Sequence, residues 1–281
     1  MNHKKLLSQF GLKWNPFYPD LPAEALIETE SSERFIWKIE NLIMDGGYAL
    51  ITGEPGTGKS VILRMIYERL RNIRDVKVGI FTRPQSSIGD FYRELGFIFD
   101  VDLKTSNRYG GYKTLREKWK LHIESSLLRP VLLIDEAQEM PETTLSELRL
   151  LSSIHFDSRN ILTVVFSGDR RLTEKFRSPE LQPLGSRIRT RMVTEPATKT
   201  ELTNFLLESV TRAGNPNLMS KDLIAALVDH ALGNYRVTTT MAAELLAEAT
   251  IREKTTLDEG LFFEVFAPHG TKKTSKTRKT Q

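Results

Sequence analysis

Two short stretches carry residue types suited to a phosphorylated nucleotide. The first is "GEPGTGKS", residues 53–60. It fits the pattern G-x-x-x-x-G-K-[ST], in which glycines let backbone N–H groups turn inward around phosphate oxygens. A helix starting at the loop's end adds a dipole that favours negative charge. Lys59 can then reach the β- and γ-phosphates and Ser60 can hold Mg²⁺. The candidate ATP-contacting run is Gly53, Glu54, Pro55, Gly56, Thr57, Gly58, Lys59, Ser60 and Val61. The second stretch is "VLLIDEAQ", residues 131–138. An apolar run ending in two acids sets Asp135 and Glu136 at the carboxyl edge of a strand, where open α/β sheets bind ligands. Asp135 would hold Mg²⁺, directly or through water. Glu136 would orient and deprotonate an attacking water. A kinase does not need the second acid, whereas an enzyme that hydrolyses ATP to ADP and phosphate does.

A third stretch, "PLGSRIRTRMVTEP" at 183–196, places Arg187, Arg189 and Arg191 on alternate positions with no acid before Glu195. Period two is that of one face of a strand. The simple reading is a solvated strand face; the functional reading is a set of cations serving a group elsewhere.

These residues need elements to hold them. "YALIT" (48–52), "VKVGIFT" (76–82), "VLLID" (131–135) and "ILTVVFSG" (161–168) read as strands. Between them lie helical patterns such as "SERFIWKIENLIMD", "GKSVILRMIYERLRN" and "LREKWKLHIESSLL". Strands alternating with helices predict an α/β fold, a parallel sheet covered on both faces. After Pro196 the pattern becomes helical throughout, and Thr198 with Glu201 fits a capping box. The expected organisation is a core over 1–196, a small helical domain over 197–267 and a basic tail over 268–281.

Composition limits the alternatives. The chain has 281 residues, no cysteine and five scattered histidines. Disulfides, thiolate metal sites and cysteine nucleophiles are excluded. No stretch approaches the length of a transmembrane helix, and the N-terminus has no apolar signal region. A cytoplasmic protein without membrane contact is expected. The last eleven residues hold five basic residues and no acid, more than the formal net charge of +4 for the whole chain. The high isoelectric point is therefore a property of the tail, which is either a solubilising end or a contact to nucleic acid.

Taken together, the P-loop, the "DEAQ" after an apolar strand and the C-terminal helices resemble an AAA+ P-loop ATPase. "FGLKWNPFYPD", "YALITGEPGTGKS" and "LLIDEAQ" are similar to the ExeA-like and TnsC/MuB/TniB-like members. The resemblance covers roughly residues 8–250. It implies that the helical domain is a lid. It also implies that "SRI" at 186–188 is an arginine-finger motif reaching the nucleotide of a neighbouring subunit, with Arg187 first and Arg189 second. "GNYR" at 233–236 resembles the Gly-x-x-Arg that opens a lid helix, so Arg236 would touch the nucleotide. In the γ-phosphate sensor position the usual Asn or Thr is replaced, leaving Ser167 and Asp169 as candidates. Pro16 and Phe17 are candidates to pack on adenine.

Three functions follow from the resemblance. One is an ATP-dependent regulator of DNA transposition that forms a ring or filament on duplex DNA and recruits a transposase. Weak DNA-contact candidates are Arg83 and Ser86 after the second strand, and Lys104 and Arg108 in a second basic loop. No base-reading motif is visible, so DNA sequence preference is not expected. The second is an ATPase of envelope or secretion assembly. Such ATPases usually continue into a membrane span and a peptidoglycan-binding module, and the expectation is that this chain has neither. The third is a nucleotide-dependent signalling or scaffold module, against which the intact Glu136 argues.

Overall fold

The computed structural model describes residues 3–101, 108–125, 127–154 and 158–266. It divides into two compact units. One is Leu26–Pro196; the other joins the described residues before Leu26 to those after Pro196.

The first unit is built on five parallel strands, β1 (Gly47–Gly53), β2 (Val76–Phe81), β3 (Arg129–Ile134), β4 (Thr163–Gly168) and β5 (Ile188–Thr194). Their spatial order is β2-β3-β4-β1-β5. Side chains alternate faces along each strand, and in β1, β3 and β4 both faces are buried. Ala49, Ile51, Val131, Leu133 and Val165 point to one side. There they meet Ile36, Ile39 and Ile43 of helix α2 (Glu30–Asp45) and Ile62 and Ile66 of α3 (Lys59–Leu70). Tyr48, Leu50, Leu132, Ile134, Val164 and Phe166 point to the other side. That side is covered by α4 (Ile88–Ile98), α5 (Arg108–Ser125) and α6 (Glu142–Ser152). Burial on both faces is why the central strands β1, β3 and β4 read as largely apolar runs.

Two short helices, α7 (Arg170–Lys175) and α8 (Gln182–Gly185), connect β4 to the edge strand β5. On β5 the exposed residues are Arg189, Arg191 and Val193, alternating with partly or fully buried Ile188, Thr190, Met192 and Thr194. A two-residue antiparallel ladder, Ser153–Ile154 with Arg159–Asn160, follows α6. It is too short to leave a periodic signal in the sequence.

The second unit is helical. It contains α1 (His3–Phe10), α9 (Lys199–Arg212), α10 (Lys221–Ala231), α11 (Tyr235–Ile251) and α12 (Glu259–Phe266). Leu206, Leu227, Leu245 and Phe262 form its core together with Leu6, Phe10 and Phe17. Residues 1–25 were expected with the ATPase core; by contacts they group with these helices instead. Each long helix after Pro196 starts on a side-chain cap. Thr198, Ser220 and Asn234 accept from Glu201, Leu223 and Val237 N–H respectively. Among the described residues, no helix is long and apolar enough to cross a membrane. Lys104 and the basic tail over 268–281 lie outside the described residues.

Candidate functional site

The P-loop joins the end of β1 to α3. Gly56 (φ 84°) and Gly58 (φ 96°) take left-handed backbone conformations that L side chains rarely adopt, so glycine is required there. Lys59 is 7% exposed. Its Nζ donates to the carbonyls of Gly53 and Glu54, each at 2.9 Å, which lays the ammonium along the inner wall of the loop. Thr57 Oγ1 donates to Glu54 O at 2.7 Å and lies 2.6 Å from Thr194 Oγ1. Thr194, the last residue of β5, thus buttresses the loop from the neighbouring strand. Arg170 Nε pairs with Glu54 Oε1 at 2.7 Å on the outer side; an exposed pair of this kind contributes little to stability. Ser60 and Val61 are exposed in the first turn of α3.

Asp135 and Glu136 follow β3, one strand removed from β1 across β4. Ser167 on β4 is fully buried, and its Oγ donates to Asp135 Oδ1 at 2.8 Å. Glu136 N donates to the same oxygen at 3.0 Å. Of the two sensor candidates, Ser167 is therefore the one joined to Asp135. Asp169 instead caps α7 and pairs with Arg171, whose guanidinium holds the carboxyl below the usual carboxylate range. Glu136 has a left-handed backbone (φ 50°, ψ 38°), which costs a non-glycine residue about 1–3 kcal/mol and clusters at functional sites. Sequence reasoning missed Gln138, a buried amide that donates to Glu136 Oε2. It is the last residue of the "DEAQ" run already singled out. No sequence pattern marks it as a partner of that acid.

The donor set suits a nucleotide with Mg²⁺. Inward-turning backbone, Lys59 and a helix N-terminus complement phosphates. Among the described residues there is no group of three or more His, Cys, Asp or Glu that could hold a metal alone. Mg²⁺ is commonly held by one or two carboxylates plus substrate phosphates. Ser60 and Asp135 would be its protein ligands.

Arg187 is half-buried just before β5, and its guanidinium donates to the Pro183 carbonyl. The register pairs Ile188 with Tyr48 and Thr194 with Gly53. Arg187 thus lies at the opposite end of the sheet from its own P-loop, some six residues or about 20 Å along the strand. That is farther than one side chain reaches. Arg189 is exposed on the strand, and Arg191 is tied to the Gly185 carbonyl at 2.9 Å. Arg236 is exposed in the first turn of α11, after the left-handed Leu232 and Gly233. Pro16 and Phe17 are buried, Phe17 within the core of the helical unit. Arg83 is exposed, while Ser86 is buried and its Oγ donates to Arg83 O. Arg108 is the first residue of α5. A cavity of about 610 Å³ is lined by Arg83, Gln85, Ser86, Asp90, Glu136 and Glu139.

Sheet order, P-loop and the paired acids define an AAA+ P-loop NTPase fold with ATPase activity. Comparison with known proteins agrees. Residues 43–176 match the model of a family described as "AAA domain". The General secretion pathway protein A of Aeromonas hydrophila is 30% identical over 186 residues, 65% of this chain. The chain spans only about a third (33%) of that relative's length. Among solved structures, Cdc6p from Pyrobaculum aerophilum superposes with a TM-score of 0.70 at 16% identity, covering 86% of this chain and 67% of that one. The Aeropyrum pernix ORC1 protein in complex with DNA gives 0.66 at 18%, covering 89% and 67%. The Thermotoga maritima RuvB Holliday junction branch migration motor gives 0.51 at 16%, covering 85% and 70%. These structural likenesses establish the fold.

Proposed function

We propose that this AAA+ ATPase binds duplex DNA in an ATP-dependent manner, oligomerises on it with shared ATP sites, and regulates DNA transposition by recruiting a transposase. The observation that carries the DNA reading is the exposed Arg83 at the rim of the cavity that Glu136 lines; the cavity itself, with Asp90, Glu136 and Glu139, is acidic, so phosphates would meet the Arg83 loop and not enter it. The loop bearing Arg83 forms one wall and the water-activating acid the other. DNA held by that loop would sit against the hydrolytic machinery, so binding and turnover would be coupled. DNA in complex with the ORC1 relative, and the junction named for RuvB, are consistent with this use of the fold. In this reading Lys59 and the P-loop hold the phosphates, Ser60 and Asp135 hold Mg²⁺, and Ser167 supports Asp135. Arg187 completes the site of the next copy in a ring or filament. Arg236 and the lid respond to the nucleotide, and Pro16 with Phe17 supports the adenine side.

The similarity to General secretion pathway protein A favours a second reading, an ATPase of envelope or secretion assembly. Fluorescence anisotropy of a labelled duplex separates the two. With a non-hydrolysable ATP analogue the chain should bind, and with ADP or no nucleotide it should bind weakly. Affinity should fall with salt at a log–log slope of about −0.9 per phosphate neutralised, and unrelated sequences should bind alike. Binding indifferent to nucleotide, or absent throughout, would transfer the assignment to the secretion reading.

A further inference from the structure

Gln138 is 7% exposed, and both ends of its amide are engaged. Nε2 donates to Glu136 Oε2. Oε1 accepts from Asp169 N at 3.3 Å. Its backbone is fixed as well, since its carbonyl accepts from Lys175 Nζ at 2.9 Å. Gly168 makes room for the amide. A Cβ at that position would lie 2.4 Å from Gln138 Oε1, closer than real Cβ contacts come. Two strand ends and a helix start therefore converge on one neutral side chain, whose amide nitrogen gives a hydrogen bond to Glu136.

We infer that Gln138 is a positioning residue for ATP hydrolysis. It holds one oxygen of the Glu136 carboxylate so that the other faces the attacking water. This rests on the reading of Glu136 as the water-activating acid. In that step the water oxygen bonds to the γ-phosphorus while the bond from phosphorus to the β–γ bridging oxygen breaks. The water proton passes to the carboxylate oxygen that Gln138 leaves open. An exposed carboxylate on a free rotor would sample many orientations. The fixed amide removes that freedom before reaction, a gain in orientation and not in binding. Because the amide is neutral, it does so without adding charge to the site.

Steady-state ATPase kinetics test the inference. Glu136→Gln comes first and should bind ATP without turning it over. Gln138→Met keeps similar volume and removes both polar atoms. Its kcat should fall about tenfold or more, the loss expected for a hydrogen bond to a charged group, with KM for ATP within about twofold. Gly168→Ala pushes on the amide from outside and should also lower kcat, and it carries the test should Gln138→Met melt early. Its effect should shrink in a Gln138→Ala background, where the amide is gone. Unchanged kcat in Gln138→Met beside a dead Glu136→Gln would overturn the role of Gln138 while leaving that of Glu136. Equal effects of Gly168→Ala in both backgrounds would assign them to Leu172, whose Cδ2 lies 2.8 Å from the same Cβ, and would also overturn it. Wild-type turnover in Glu136→Gln would remove the reading beneath both.

Discussion

Ser167 Oγ donates to Asp135 Oδ1 at 2.8 Å, from the strand adjacent to the one that carries the acid. The register brings this about. Ile134 pairs with Phe166, so the next residue of each strand meets at the carboxyl edge of the sheet. A fully buried hydroxyl can thus fix the rotamer of a metal-binding carboxylate.

Ser167→Ala should weaken the binding of Mg²⁺ and so raise the Mg²⁺ requirement of hydrolysis. Asp135 keeps the Glu136 N–H as a partner but loses the hydroxyl that fixes its side chain. A higher Mg²⁺ concentration for half-maximal rate and a kcat lower by about tenfold are expected. Magnesium titration of ATPase activity measures both. Asp169→Asn, which removes one of the two acidic partners of Arg171, should leave the Mg²⁺ titration in place. The opposite ranking would return the sensor position to Asp169.

Gly53→Ala should disable the P-loop from its first residue. An added Cβ would sit 2.0 Å from Thr194 Oγ1 and 2.4 Å from Thr194 O. The backbone oxygen cannot move without shifting β5, so the loop must deform. Loss of nucleotide binding with a modest fall in melting temperature is expected, read by a fluorescent ATP analogue and by thermal unfolding. Gly53→Ala combined with Thr194→Ala, which removes the hydroxyl, should recover little, because the carbonyl clash remains.

Much of this was legible in the sequence because local chemistry and periodicity agreed. The P-loop glycines are needed where φ is positive, and the apolar runs are strands buried on both faces. What was not legible depended on register and distant packing. "VVFSGD" offers Ser167 and Asp169 equally until β4 is set beside β3. Gln138 reads as one more polar residue until Glu136 and Asp169 are brought to its two ends. Leu6, Phe10 and Phe17 form a short apolar pattern that fits a core contribution to either unit. Only the folded chain shows that these residues pack with Leu206 and Leu245.

The helical unit should respond to acid through Glu201. Its carboxylate accepts from Thr198 N at 2.7 Å and from Thr198 Oγ1 at 2.8 Å. These bonds hold its pKa below the usual glutamate range, the backbone bond most of all. A carboxyl depressed in the folded state adds stability that is fully present above roughly pH 5 and is lost as pH falls through the folded value. Glu201→Ala should therefore lower the urea midpoint at pH 7, with the gap to wild type narrowing toward pH 4. Thr198→Ala, which removes the cap itself, should cost about 1 kcal/mol. A gap independent of pH would assign the effect of Glu201→Ala to helix propensity alone.

The placement of Arg187 makes the strongest prediction, that one ATP site is built from two chains. The arginine lies at the far end of β5 from its own P-loop, beyond the reach of a side chain, and the Pro183 carbonyl orients it. A guanidinium is always charged and presents a rigid fork suited to phosphate. If it serves a nucleotide, that nucleotide is bound by another copy. Arg187→Ala should bind ATP almost as wild type at low protein concentration, yet hydrolyse it slower by about 10³-fold or more, the range seen for arginine fingers. Lys59→Ala should fail to bind ATP, because the phosphates lose their buried cation, while its Arg187 stays in place. Mixing the two inactive variants should restore activity, since an interface can then combine an intact P-loop with an intact arginine. Recovery should rise with total protein concentration and peak near equal amounts, measured by phosphate release, with size-exclusion chromatography showing that mixed assemblies form. A mixed assembly as inactive as either parent would leave Arg187 with no nucleotide to serve. The three arginines of β5 would then be a solvated strand face and its anchors.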